Sequence, residues 1–153
     1  MLVWRISKAK FAASSFSGEG ARLFDGRWNY AGIRMVYTST SLALAAVEFF
    51  VHLDPSVMPD DLVSIKAKLP DNAKVERIDP ASLPANWRKV DNNQLRHLGS
   101  EWARKGSSLA LLVPSAVMDD EWNVLLNPAH PDFAKVEVSP PQPFRYDERM
   151  FRR

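Results

Sequence analysis

The chain has 153 residues, enough to bury roughly 70% of its unfolded surface without a covalent staple, and reads as one domain over residues 1–153. Apolar residues make up 46% and charged residues 25%, as in a soluble globular protein, and the net charge of +2 is close to neutral. The absence of cysteine excludes disulfides, thiolate catalysis and zinc–thiolate sites, and suits a reducing cytoplasm.

Leu2 to Ile6 reads as a first strand. No basic region precedes a long apolar core there, so a signal peptide is not expected. Residues 7 to 32 carry Gly18, Gly20, Gly26 and Gly32 with little periodicity. They read as a long irregular stretch, and such stretches are often functional. Arg34 to Thr38 is a second short strand. Thr40-Ser41 then offers an N-cap for a helix to about Leu53, closed by Pro55. That helix is the longest apolar run, too short for a membrane span and interrupted by Glu48 and His52.

Leu62 to Leu69 alternates like a strand, with Ile65 and Ala67 on one side and Lys66 and Lys68 on the other. Val75 to Ile78 is a further short strand, and Pro80 to Trp87 a proline-interrupted connection. Asp91 and Gln94 have capping-box spacing ahead of a helix with Leu95, Leu98 and Trp102 on one face, ended by Gly106. Leu109 to Val113 is a buried-type strand. Trp122 to Leu126 is another, closed by Asn127-Pro128, and Lys135 to Ser139 alternates again. Many short strands, mixed or antiparallel, with two clear helices predict an α+β domain.

Four positions stand out. Glu48 lies inside an apolar helix, where an unpaired carboxylate is costly, so it either faces water with Ser41, Ala45 and His52 or serves a purpose. Arg27, in Gly26-Arg27-Trp28-Asn29, could grip a phosphate or carboxylate with its fork of donors, or simply stack on Trp28. Tyr37 could stack on a flat ligand or pack in the core. Ser115, in Val113-Pro114-Ser115-Ala116, lacks any nucleophile-elbow pattern and reads as a hydrogen-bonding or turn-forming serine. The histidines His52, His97 and His130 are solitary, so no metal site is expected. The basic residues are scattered apart from Arg145, Arg149, Arg152 and Arg153. Direct nucleic-acid binding needs a denser stripe. Asp119-Asp120-Glu121 reads as a solvated loop or a partner contact.

Together these contexts resemble the RES-domain family, toxins of bacterial Xre–RES toxin–antitoxin pairs. Three blocks carry the likeness: Leu2-Val3-Trp4-Arg5-Ile6-Ser7; then Gly26-Arg27-Trp28-Asn29, Gly32, Val36-Tyr37-Thr38-Ser39 and Glu48 with Val51-His52-Leu53; then Val113-Pro114-Ser115-Ala116, Leu126-Asn127-Pro128 and His130-Pro131. Residues 70 to 106 carry no such motif.

The resemblance implies a fold like the ADP-ribosyltransferase toxins and NAD as substrate, with no separate cofactor. It carries the family's arginine, tyrosine, glutamate and serine onto Arg27, Tyr37, Glu48 and Ser115, and places Asn127 in a matching motif as a further NAD-binding residue. It also implies an Xre-type helix-turn-helix antitoxin that covers the active site, a toxin homodimer within the complex and a cytoplasmic location. The expected reaction is cleavage of the nicotinamide–ribose bond, with water, phosphate or a protein as acceptor. The alternative from another class is a silent module that only binds a regulator.

Overall fold

The structure, a computed structural model, describes residues 1–151, so Arg152 and Arg153 of the basic tail lie outside the described residues. Its strands are β1 (Leu2–Lys8), β2 (Val36–Ser39), β3 (Leu62–Lys68), β4 (Val75–Arg77), β5 (Ala110–Pro114), β6 (Trp122–Leu126), β7 (Glu137–Val138) and β8 (Gln142–Phe144). Its α-helices are α1 (Glu19–Leu23), α2 (Leu42–Phe50) and α3 (Asn93–Lys105). The strands form one sheet in the order β4-β5-β6-β2-β1-β3-β7, with β8 also paired to β3. Among the described residues only β4 and β5 run parallel; the other pairings are antiparallel. This is the α+β domain expected from the pattern of elements.

β5 and β6 are almost continuously apolar because both of their faces are covered. Leu111, Val113 and Leu125 join Trp28, Leu95 and Trp102 on one side. Ala110, Val124 and Leu126 join Val3, Val36 and Ile65 on the other. A third cluster, built on Ile6, Ala45, Leu62, Tyr146 and Phe151, seats α2 beside β1. Phe50 packs edge-on against Tyr146 and Phe151, with centroids 5.7 and 5.5 Å away. The Tyr146 hydroxyl donates to the Ala46 carbonyl at 2.5 Å, so the C-terminal segment straps α2 in place. Burial pushes the Tyr146 phenol up to about 12.

Ser41 caps α2 as expected, accepting from the Leu44 amide at 3.0 Å. The helix closes at Phe50, earlier than its apolar run suggests, and Val51–Leu53 form a turn. α3 differs more. Its cap is Asn92, which accepts from the Gln94 and Leu95 amides, while Asp91 sits one residue outside with a positive φ of 64°. The inward positions are Leu95, Gly99 and Trp102, whereas Leu98 is 40% exposed. Gly99 is required by close approach: a Cβ there would stand 1.9 Å from the Trp28 carbonyl oxygen. Gly106 ends the helix in the left-handed conformation expected of it.

The stretch 7–32 is less irregular than its composition suggests. It holds a 3-10 turn at Ala9–Ser14 and the short α1, steadied by Glu19 pairing with Arg22 and Arg34. Only Ala21 of α1 is buried, so no apolar periodicity marked it. Near the C-terminus, Pro131–Lys135 form a 3-10 turn and the strand shrinks to β7, followed by an unexpected β8.

Candidate active site

The Gly26-Arg27-Trp28-Asn29 block is a compact loop wound around a buried asparagine. Asn29 is fully buried, and its Nδ2 donates to the carbonyls of Ala21, Phe24 and Tyr30. Its Oδ1 accepts from the Tyr37 hydroxyl at 2.6 Å, and that hydroxyl accepts from the Trp28 amide at 3.0 Å. A Cβ at position 26 would meet both Asn29 Oδ1 and the Tyr37 hydroxyl at about 2.5 Å, so only glycine lets the loop close. Trp28 is drawn into the core. Arg27 therefore does not stack on its neighbour. Its Nη1 reaches across to the carbonyls of Trp87, Arg88 and Lys89 at 3.2–3.3 Å. Burial lowers its pKa and nearby Glu48 and Tyr37 raise it, and a guanidinium stays charged regardless.

Glu48 sits half-buried on α2, above the ends of β2, β6 and β5. Its Oε1 accepts from Ser115 Oγ at 2.5 Å and from Asn123 Nδ2 at 2.7 Å. Ser115 follows β5, and its Oγ accepts from the amides of Val117 and Met118, which turns the hydroxyl proton toward Glu48. Among the described residues nothing donates to the other oxygen, Oε2. A pinned carboxylate with one oxygen unengaged is the arrangement expected of a working group.

Two clefts meet at Glu48. One, of about 430 Å3, is lined by Arg27, Tyr37, Glu48, His52, Arg96 and Asn123 among others. The second, of about 250 Å3, adds Trp4, Arg5, Ser39 and Phe49 to the shared Tyr37, Glu48, His52 and Asn123. Arg27, Tyr37 and Glu48 are thus brought together, as one cleft wall requires. Ser115 is 2% exposed and stands behind Glu48, in hydrogen-bond contact with it and off both clefts' linings. Asn127 is not brought to the clefts. It lies four residues beyond Asn123, buried, with Nδ2 on the Ala103 carbonyl at 2.9 Å and Oδ1 on the Ala129 amide at 3.0 Å, so its side chain ties β6 to α3. The Tyr37 hydroxyl is engaged by Asn29 and the Trp28 amide, and burial pushes its pKa well above the ordinary phenol range. Asp119, Asp120 and Glu121 are exposed, as expected of a loop, and Asp119 pairs with Arg88 at 3.1 Å.

Three lining residues escaped the sequence reading. Arg5 donates from Nη1 to the Tyr37 carbonyl at 2.7 Å, while its buried Nε has no partner. Burial lowers its pKa. An arginine in a strand between the core residues Val3 and Ile6 was the available signal. Arg96 donates to the Gly26 carbonyl at 3.1 Å and pairs with Asp91 at 2.7 Å, which brings the otherwise motif-free stretch 70–106 into the site. Asn123 had no signal, because a polar residue in a strand end is ordinary.

The RES domain sequence profile matches residues 2–147. A Prs ADP-ribosylating toxin of a Sphingobium species is 36% identical, covering 98% of this chain and 96% of the relative. The proteins named Toxin Res of Photorhabdus laumondii and Pseudomonas putida are 36% and 37% identical, covering 88% and 99% of this chain and 86% and 100% of theirs. Among solved structures, a chain of the Mycobacterium tuberculosis MbcT–MbcA toxin–antitoxin complex shares the fold with a TM-score of 0.69 at 18% identity, covering 94% of this chain and 84% of that one. By a profile match along nearly its whole length and by relatives above 30% identity, the chain belongs to the RES domain family.

Proposed function

We propose that this protein is the toxin of a toxin–antitoxin pair and acts by breaking the bond between nicotinamide and ribose in NAD. The observation that carries the reading is Glu48, a carboxylate pinned through one oxygen, with no donor on the other among the described residues, in a cleft it shares with two guanidiniums. The names of the relatives add weight: each is a toxin, and one is an ADP-ribosylating toxin.

The chemistry suits one carboxylate. In NAD the nicotinamide nitrogen is already cationic, so when the C1′–N bond breaks its electron pair neutralises the leaving ring. No general acid is required, unlike ordinary glycoside hydrolysis with its two carboxylates. Positive charge develops on the ribose as an oxocarbenium ion, and Glu48 stabilises it. Arg27 and Arg96 supply donors for the pyrophosphate or ribose oxygens. The ring of Tyr37 forms a face for the nicotinamide, and Ser115 serves by holding Glu48. An acceptor then attacks C1′, forming the new C1′–O or C1′–N bond, and its excess proton passes to bulk water. Water yields ADP-ribose, inorganic phosphate yields ADP-ribose 1″-phosphate, and a protein side chain yields an ADP-ribosylated target.

The name of the Sphingobium relative favours the last of these as a second reading. A single assay separates the three: purified protein with NAD, with and without phosphate, and with labelled NAD plus cell extract. Nicotinamide release that collapses in Glu48→Gln supports the enzyme reading. Intact NAD under every condition leaves only a regulator-binding module. The antitoxin is proposed to seat on the mouth of the larger cleft, where Val51, Val90 and Val117 are exposed. Growth arrest on expression, relieved by a small helix-turn-helix protein encoded next door, tests that role.

A further inference from the structure

We propose that Asn123 is a positioning residue for Glu48 and that Ser39 sets its orientation. The inference rests on the NAD-cleaving reading above and extends it to the residues that aim the carboxylate.

Ser39 and Asn123 are directly opposite one another on the antiparallel pair β2–β6, so their side chains share a face. The Ser39 hydroxyl, 3% exposed, donates to Asn123 Oδ1 at 2.7 Å. That bond decides which end of the amide faces α2. With Oδ1 held by Ser39, Nδ2 points the other way and donates to Glu48 Oε1 at 2.7 Å. Ser115 donates to the same oxygen from just beyond the neighbouring strand β5, whose Val113 is also a register partner of Asn123. The ends of β5 and β6 thus deliver two donors to one carboxylate oxygen, and the end of β2 holds one of those donors in place.

The consequence is geometric. Two donors on Oε1 fix the carboxylate against rotation and leave Oε2 for the ribose. A glutamate side chain has three rotatable bonds, and α2 itself constrains only its root. Ser115 alone defines a point of contact, and Asn123 adds a second direction, which orients the carboxylate plane. The amide is also held at its far side, so it cannot swing away when substrate enters.

The test is a double-mutant cycle on the purified protein, following nicotinamide release. Asn123→Ala is expected to lower kcat by about ten- to a hundredfold, the upper end being what a misplacement near 1 Å can cost, while KM for NAD moves by less than about threefold. Ser39→Ala is expected to give a smaller loss of the same kind. In the Glu48→Gln background, Asn123→Ala is expected to cost nothing further, because there is no carboxylate left to aim. A rise in KM with kcat unchanged, or losses that add in the double variant, overturns the proposal and makes Asn123 a direct substrate contact. A second readout does not depend on turnover. The Asn123 side-chain amide protons, followed by nuclear magnetic resonance, are expected to shift in Glu48→Ala; unmoved signals overturn the contact itself. Should the unaltered protein release no nicotinamide, the NAD reading fails, while the amide signals still decide whether Asn123 holds Glu48.

Discussion

Replacing Glu48 by glutamine removes one charge and almost nothing else. The glutamine carbonyl oxygen can still accept from Ser115 Oγ and Asn123 Nδ2, so both hydrogen bonds that seat the side chain survive. What disappears is the attraction between a carboxylate and a ribose cation. At about 4 Å and an effective dielectric near 20 that attraction is about 4 kcal/mol, or roughly a thousandfold in rate. The clefts are open to solvent, which screens part of it, and removal of a comparable electrostatic stabiliser elsewhere costs about a hundred- to a thousandfold. We therefore expect kcat for nicotinamide release to fall by about two to three orders of magnitude, with KM for NAD little changed and the thermal midpoint unmoved. The assay is chromatographic detection of nicotinamide at saturating NAD, beside a melting curve of both proteins. Turnover within about tenfold of the unaltered protein, with the fold intact, refutes a charge-stabilising role for position 48.

Ser115→Ala removes a donor from Glu48 and the acceptor of the Val117 and Met118 amides. It is expected to cost about 1–3 kcal/mol of stability in denaturant titration and about tenfold in kcat, since Asn123 still holds Glu48. Arg27→Lys keeps the charge but loses the Nη1 contacts to three carbonyls and the planar fork of donors offered to substrate, and is expected to raise KM for NAD by about 10- to 100-fold; an unchanged KM excludes a substrate role. Tyr146→Phe loses the bond to the Ala46 carbonyl and is expected to cost about 1 kcal/mol in chemical denaturation. The phenol's value in the fold lies above its ordinary 10.0, so its contribution is complete below pH 10 and is lost as pH climbs through about 12. Stability should fall across that window, and less steeply in Tyr146→Phe.

Much of this molecule was legible in the chain. Continuous apolar runs marked β5 and β6, a serine marked the start of α2, and a glycine marked the end of α3, because these signals depend on a few neighbours. α1 left no trace since it buries only Ala21, and β8 left none since a three-residue edge strand is defined by its partner, not by its own pattern. Leu98 looked equivalent to Leu95 and Trp102, yet Gly99 is the residue pressed against the Trp28 backbone, a contact set by how closely two segments approach.

The site divides in the same way. Local context singled out a carboxylate in an apolar helix, an arginine in a glycine loop, and a tyrosine and a serine at strand ends, but it left a plain structural reading open for each, and the family resemblance is what joined them into one expected site. Only the folded chain decided what each touches. Strand register put Ser39 beside Asn123 and both beneath Glu48, turned Ser115 into a support behind the carboxylate, sent Asn127 into a structural tie, and brought Arg96 from a motif-free stretch to the cleft. A residue's type is a property of one position, whereas its partner is a property of where two distant positions come to rest, and that is decided by sheet order and packing.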